Sequence, residues 1–117
     1  MKFLMTYQGN DRNPSPETMA KIGKFGYEMT EKGVLLMTGG LVRPNNGTRL
    51  KYAGGKHSVT DGPFPESKEL IDGFALIRAN SMQEAIALAQ QFMSIAGEGE
   101  GEVLQVFDAA DGGPPGA

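Results

Sequence analysis

Six short runs rich in strand-forming residues recur along this chain and predict β-strands. The predicted strands cover residues 2–8, 34–41, 48–53, 57–60, 73–79 and 102–108. The third and fourth are the most polar and are separated by Gly54, Gly55 and Lys56, so together they predict a β-hairpin.

Two segments between these strands have apolar residues at the three- and four-residue spacing of a helix. The first helix begins after Ser15, a favoured N-cap, with Pro16 at its first position, and ends near Gly33. Ser81 and Glu84 have the spacing of a capping box and begin the second helix. This order predicts an α+β fold, a ferredoxin-like βαββαβ sandwich with an inserted β-hairpin and both helices on one face of the sheet.

The core strands are apolar on both faces, although two helices can cover only one face of a sheet. We assign the smaller aliphatic set of alternate residues to the helix face: Leu4, Leu35, Met37, Ala75, Ile77, Leu104 and Val106. The more aromatic set is assigned to the open face: Phe3, Met5, Tyr7, Val34, Leu36, Phe74, Leu76, Val103 and Phe107. Monomers rarely leave such a surface in water, so we predict a homodimer packed sheet to sheet. The alternative is a monomer whose hairpin folds over its own sheet.

Four polar residues fall on the set assigned to the open face, namely Tyr7, Thr38, Arg78 and Gln105. Polar groups that converge in an apolar cleft are typical of small-molecule sites. Tyr7, Arg78 and Gln105 are therefore candidate ligand-binding residues. The alternative is that Tyr7 and Arg78 lie at the rim with their polar tips in water.

Residues 57–74 contain the single histidine and the most constrained turn of the chain. The turn runs from Asp61 through Gly62 and Pro63 to Phe64, a candidate to place an aromatic ring in a ligand cleft. Histidine changes charge near neutral pH, and on a straight strand His57 lies on the same face as Asp61, roughly 13 Å away. The alternatives are a purely structural turn and a surface histidine.

A charged run follows the turn and adds two more candidates. Lys68 and Glu69 are adjacent and could form an ion pair at the mouth of a pocket, where Lys68 would bind an anionic ligand. Asp61, His57 and Glu69 are thus the candidate catalytic acid–base residues. The alternative is that the charged run is a solvated surface.

Composition excludes several classes of function. The chain has 11 Lys and Arg and 14 Asp and Glu residues, a net charge of -3, and no basic stripe, so we expect no nucleic-acid or membrane partner. It has no cysteine, which excludes disulfides and thiolate chemistry. One histidine with scattered carboxylates is a poor metal site, so we predict no metal and no cofactor.

Length and pattern predict a single domain over residues 1–108, followed by a flexible Gly- and Pro-rich tail over residues 109–117. The chain begins with a strand-like run instead of the apolar core of a signal peptide, and no run of 18 apolar residues occurs. We therefore expect a soluble, cytoplasmic protein.

The run of residues 59–64, followed by residues 66–69 and 73–74, resembles the signature of DGPF-domain proteins within the YciI-like (YCII-related) family. The first strand, the entry to the second strand and the last strand agree in order, so the resemblance covers about residues 1–108. It implies a ferredoxin-like fold that dimerises into an α/β barrel with a cleft at the interface.

The resemblance also implies several functions. Some YciI-like relatives are regarded as enzymes that act on small cyclic or aromatic compounds with a His-Asp pair, and others in the DGPF branch accompany extracytoplasmic-function sigma factors. The YciI-type histidine belongs to the first helix, but residues 16–33 contain none, so this pair does not carry over. Three hypotheses remain: a small-molecule enzyme using Asp61 with His57 or Glu69, a non-catalytic ligand-binding or regulatory dimer, and a purely structural dimer.

Overall fold

The computed structural model describes residues 1–10, 13–41, 47–61, 72–107, 110 and 112. Its elements in chain order are β1 (Lys2–Gly9), α1 (Pro16–Glu31), β2 (Leu35–Gly40), β3 (Thr48–Ala53), β4 (Lys56–Asp61), β5 (Gly73–Arg78), α2 (Met82–Ala96) and β6 (Gly99–Val106). The predicted α+β class and the order of its elements are confirmed. Most of the predicted tail lies outside the described residues.

Four of the strands form one antiparallel sheet in the order β2-β5-β1-β6, and β3 pairs with β4 as a separate antiparallel hairpin. The helices pack against each other, α1 contacts β2, and α2 contacts β1 and β6. This arrangement is compatible with a ferredoxin-like fold. Neither α1 nor α2 covers the opposite face of the sheet.

Both helices begin at the predicted caps. The Ser15 hydroxyl accepts a hydrogen bond from the Thr18 N–H, and the Ser81 hydroxyl accepts one from the Glu84 N–H, each at 3.1 Å. The Glu84 carboxylate in turn accepts a bond from the Asn80 N–H at 3.3 Å, one residue before the cap. Among the described residues, no helix has the length and apolar run that crossing a membrane requires.

The last strand begins three residues earlier than the predicted segment 102–108, at Gly99. Gly99 and Gly101 lie so close to the backbone carbonyl oxygens of Gln8 and Thr6 that a Cβ atom could not fit at either glycine. These glycines therefore allow β1 and β6 to approach each other closely. For this reason the glycine-rich segment, which is typical of a loop, forms a strand.

The core lies between the sheet and the two helices. Residues directly opposite each other in neighbouring strands point to the same face. Phe3 is opposite Ile77 and Met5 is opposite Ala75, so all four face the helices. Phe3 is 0% exposed and forms the centre of the core, together with Met5, Ile77, Ala79 and Ala85.

The predicted assignment of residues to the two faces is wrong in part. Phe3, Met5 and Tyr7 face the helices, whereas the assignment placed them on the open face. In β2, a register shift between Leu35 and Met37 puts Leu35 opposite Ile77 but Met37 opposite Leu76, so that they lie on different faces. Alternation within a strand does not fix which residues of its neighbour share a face.

The open face is nevertheless apolar across its centre. One row crosses all four strands and consists of Leu104, Leu4, Leu76 and Met37. Phe74 continues this surface on the side towards Gly39, where its ring carbons would lie 2.9 Å from a Cβ atom. We call this row and Phe74 the open apolar row.

The hairpin of β3 and β4 does not cover this surface. All residues of both hairpin strands are exposed, and neither strand has an extensive contact with the sheet or the helices. The alternative of a monomer covered by its own hairpin is therefore not the arrangement of this chain.

Replacing the core residue Phe3 by alanine should destabilise the protein strongly. Removing a fully buried phenylalanine and leaving a cavity costs about 3–5 kcal/mol. Urea unfolding at one fixed protein concentration measures the loss. Tyr27→Ala, at an exposed position of α1, is the matched control and should change the unfolding free energy by less than about 0.5 kcal/mol. Equal losses in both variants would contradict this account of the core.

Candidate functional site

The predicted ligand-binding residues Tyr7 and Arg78 lie at opposite ends and on opposite faces of the sheet. Tyr7 is opposite Gly73, whereas Arg78 is opposite Lys2, five residues away along β1. This separation corresponds to roughly 17 Å along the strand. Arg78 is on the open face and Tyr7 is on the helix face. The two side chains cannot line one pocket within a chain, so their predicted convergence is wrong.

Tyr7 joins β1 to the end of α2. Its hydroxyl donates a hydrogen bond to the Gly97 carbonyl at 2.7 Å. Its ring packs edge-to-face on Phe92, with 5.3 Å between the ring centroids and 89° between the planes. These contacts give the side chain a structural role at the C-terminal end of α2.

The other two polar residues of the predicted cleft are also separated from Arg78. The Thr38 hydroxyl donates a hydrogen bond to the Phe74 carbonyl at 2.9 Å, within the sheet. Gln105 is opposite Phe3 and so lies on the helix face of the edge strand β6, where it is exposed. Of the polar residues assigned to the open face, Arg78 alone projects from it beside the apolar row.

Asp72 has a role that sequence reasoning missed. Its carboxylate accepts a hydrogen bond from the Gly9 N–H at 2.6 Å. Its own N–H donates to the Tyr7 carbonyl, and its carbonyl accepts from the Leu41 N–H, both at 2.8 Å. Asp72 thus joins the ends of β1, β2 and β5. An aspartate directly before a strand that starts with Gly73 was the available signal, since aspartate readily bonds nearby backbone amides.

His57 and Asp61 lie on one face of the hairpin but do not meet. The His57 ring stacks on Tyr52, with centroids 4.4 Å apart and planes at 25°. The Asp61 carboxylate accepts a hydrogen bond from the Thr48 hydroxyl at 3.0 Å. Val59 lies between them on the same strand, and their separation is about 13 Å. The chain by itself therefore forms no His57–Asp61 acid–base pair.

Three further candidates, Phe64, Lys68 and Glu69, lie outside the described residues, so their roles stay predictions. In the part of the chain that the structure describes, no group of three His, Asp or Glu side chains is arranged to hold a metal ion.

An open depression of about 580 Å³ lies beside the C-terminal end of α2. Its lining consists of Asn10, Met93, Ser94, Gly97, Glu98 and Gly99. The Gly97 carbonyl there already accepts the Tyr7 hydroxyl, and the Glu98 carbonyl accepts the Asn10 N–H at 2.9 Å. Glu98 provides the one carboxylate side chain of this lining.

The family model of the YCII-related domain matches residues 1–110. The chain belongs to the YCII-related family. Comparison with curated proteins gives no match. The YCII-related match extends over all six strands and both helices of the structure, including the hairpin.

Removing the Tyr7 hydroxyl should weaken the junction between β1 and α2 of this YCII-related domain. Tyr7→Phe loses one hydrogen bond, which corresponds to about 0.5–1.5 kcal/mol of unfolding free energy. Chemical denaturation measures this loss, with Tyr27→Phe on the exposed face of α1 as the matched control. If Tyr7→Phe proved as stable as the control, the bond to Gly97 would contribute nothing to stability.

Proposed function

We propose that two copies pack their open sheet faces together as a dimeric α/β barrel and bind a small organic molecule at the rim of the interface. The observation that carries this proposal is the open apolar row, which neither α1 nor α2 covers and which the hairpin of β3 and β4 leaves uncovered. An apolar surface of this kind on a soluble protein marks an interaction site.

The distribution of polar residues around the row supports a protein interface. Lys2 and Arg78 lie opposite each other at one end of the open face, and Glu100 and Glu102 lie at the other end, opposite Gln8 and Thr6. An apolar centre with a charged rim is the usual anatomy of an interface between proteins. Two sheets packed face to face about 10 Å apart would bury the row on both copies.

The proposed role is binding, not acid–base catalysis. The Tyr7 hydroxyl is bonded to the Gly97 carbonyl, and His57 is separated from Asp61 by Val59. Arg78, exposed at one end of the open apolar row, is the predicted ligand-binding residue that is best placed to contact an anionic ligand at the rim. A regulatory dimer that responds to such a ligand is consistent with this arrangement.

A small-molecule enzyme is the second candidate, and the exposed position of Asp61 favours it. Asp61 ends β4 and directly precedes the segment that contains Phe64, Lys68 and Glu69. Its carboxylate is accessible from solvent at this position, as an acid or base that acts on a substrate must be. This hypothesis needs His57 or Glu69 to reach the same substrate.

Membership of the DGPF branch is part of the proposal. Its support is the run of residues 59–64 followed by residues 66–69 and 73–74. The regulatory alternative, association with a sigma factor, depends on this branch and on residues 61–64 being presented to a partner.

Introducing a charge into the open apolar row should abolish dimerisation. Met37 is 60% exposed, so Met37→Glu should leave the folded monomer intact, whereas burying the carboxylate in a sheet-to-sheet interface is strongly unfavourable. Sedimentation at micromolar concentration should show a dimer for the wild type and a monomer for Met37→Glu.

Met19→Glu is the matched control for this experiment, because Met19 is 52% exposed but lies on α1, away from the sheet. This variant should remain dimeric. A wild-type chain that sediments as a single particle of 12.5 kDa at these concentrations would refute the dimer.

A ligand of the interface should stabilise the dimer more than the monomeric variant. Thermal-shift screening with small aromatic, lactone and amino-acid-derived compounds should give hits that raise the Tm of the wild type but not of Met37→Glu. For any hit, Asp61→Asn separates the two functions. Binding without turnover, unaffected by Asp61→Asn, supports the binding role, whereas turnover that Asp61→Asn abolishes would establish the enzyme instead.

A further inference from the structure

The hairpin is amphipathic, although its sequence looks polar. Cross-strand pairing sorts its side chains onto two faces. One face carries the pairs Thr48–Asp61, Leu50–Val59 and Tyr52–His57, and the other carries Arg49–Thr60, Lys51–Ser58 and Ala53–Lys56. We call the first the apolar face of the hairpin and the second its basic face.

The apolar face of the hairpin is the most exposed hydrophobic surface of the described chain. Leu50 is 78% exposed, Tyr52 67% and Val59 66%. A two-stranded hairpin is at best marginally stable in water, and it needs a further strand, sheet or helix to pack against. The sheet and helices of the same chain do not provide that contact.

We propose that the hairpin is an arm that packs its apolar face on a second copy of this chain, along the rim of the partner's open sheet face at β6. The arm would bring the stacked Tyr52 and His57 rings to the partner's interface. This inference rests on the sheet-to-sheet dimer proposed above and extends it with an exchanged element.

The two open sheet faces supply less area than a stable dimer requires. Strands about 4.8 Å apart, two of six and two of eight residues at about 3.3 Å per residue, give the four-stranded sheet an area of roughly 440 Å² per copy. Two such faces bury roughly 900 Å², less than the roughly 1,200–2,000 Å² of standard stable interfaces. Each hairpin face adds roughly 200 Å², so two arms and the surfaces they cover bring the total to about 1,700 Å².

The hairpin and the remainder of the chain have opposite net charges. Residues 48–61 contain three of the 11 Lys and Arg residues but one of the 14 Asp and Glu residues, so the remainder of the chain carries an excess of five acidic residues. In the sheet, negative charge is concentrated at Glu100 and Glu102 of β6, with Glu98 directly before the strand, and all three are exposed. A basic arm is therefore attracted to the acidic rim of another copy. Lys51 and Lys56 have side chains long enough to reach around a narrow ribbon while its apolar face is covered.

The hairpin segment leaves the sheet at the end where the partner's acidic rim would lie. The chain leaves β2 at Leu41 and returns at Asp72, and these residues are hydrogen-bonded at 2.8 Å. Glu100 lies at the same end of the sheet, opposite Gln8. β2 and β6 are the two edge strands. In a symmetric pair whose two-fold axis runs between the sheets and parallel to the strands, the β2 edge of one copy faces the β6 edge of the other at the same end. The arm then emerges beside the partner's acidic rim.

In this arrangement the candidate site residues of the hairpin would contact the partner copy. His57 and Asp61, which do not meet within a chain, would each lie against groups of the partner. The rim of the interface would then combine the hairpin rings of one copy with the β6 edge of the other, so the binding site is incomplete in a monomer.

Apolar substitutions in the arm test the proposal directly. Leu50→Ser combined with Val59→Ser should raise the Kd of the dimer at least tenfold by sedimentation equilibrium, since both would remove buried contacts. Met19→Ser combined with Tyr27→Ser, two exposed apolar residues of α1, is the matched control and should change the Kd less than about twofold.

Charge exchange tests the docking position. Lys51→Glu with Lys56→Glu should weaken the dimer several-fold, and adding Glu100→Lys with Glu102→Lys should restore the Kd to within roughly threefold of the wild type. Lys21→Glu with Lys24→Glu, at exposed positions of α1, is the control for altered net charge. If the fourfold variant dimerised more weakly than the Lys51 and Lys56 variant, the arm would not contact Glu100 and Glu102, and the proposal would be overturned.

The absence of cysteine allows a specific cross-link. Val59→Cys in one tagged copy and Leu104→Cys in a second, differently tagged copy should give a disulfide-linked heterodimer under mild oxidation. Val59→Cys mixed with Ala20→Cys on α1 is the control and should not. When both cysteines are placed in one chain, an internal disulfide in a monomer would show that the arm folds on its own sheet, which contradicts the proposal.

The outcomes separate this inference from the function on which it rests. If Met37→Glu is monomeric but the Leu50 and Val59 variant dimerises with unchanged Kd, the sheet-to-sheet dimer stands and the arm is wrong. A monomeric wild type overturns both. Binding to vesicles containing phosphatidylserine that the Lys51 and Lys56 variant loses, with an unchanged dimer Kd, would assign the arm to a membrane surface instead and also overturn the proposal.

Discussion

The structure depends on a mismatch between the sheet, which is apolar on both faces, and the helices, which cover one face. A sheet of four strands presents hydrophobic side chains on both faces, while two helices of about four turns each can cover only one of them. On the covered face, Phe3 and Ile77 are almost completely removed from water and hold β1, β5 and the helices together. On the other face, Leu4 and Leu76 belong to a continuous apolar row that neither α1 nor α2 covers. The covered face stabilises the fold, and the open face is the surface proposed for assembly and binding.

The two ends of the sheet differ in how their polar side chains are used. At one end, Asp72 connects three strands by hydrogen bonds, and Tyr7 ties β1 to α2. These contacts use polar groups for structure, and they remove Tyr7 from the set of groups available to a ligand. At the other end, Arg78 projects from the open face and is exposed.

The hairpin, like the sheet, is paired internally and has an exposed apolar face. Its two strands satisfy each other's backbone groups, and the Tyr52–His57 and Thr48–Asp61 pairs fix their register. In the part of the chain that the structure describes, its apolar residues are exposed and lack contact with the sheet and the helices. The described residues thus present two apolar surfaces, one on the sheet and one on a hairpin of opposite net charge to the remainder. The proposed partner for both surfaces is a second copy of this chain.

The sequence by itself determined the elements, with strands predicted from short runs of strand-forming residues and helices from the caps Ser15 and Ser81. It also showed that the apolar surface of the strands exceeds what two helices can cover. Membership of the YCII-related family was also readable from the motif around Asp61. Only the tertiary structure decided which residues share a face, because the pairing register of neighbouring strands and the shift between Leu35 and Met37 are set by packing and not by alternation. For the same reason the sequence placed Tyr7 beside Arg78, although the folded sheet holds them on opposite faces.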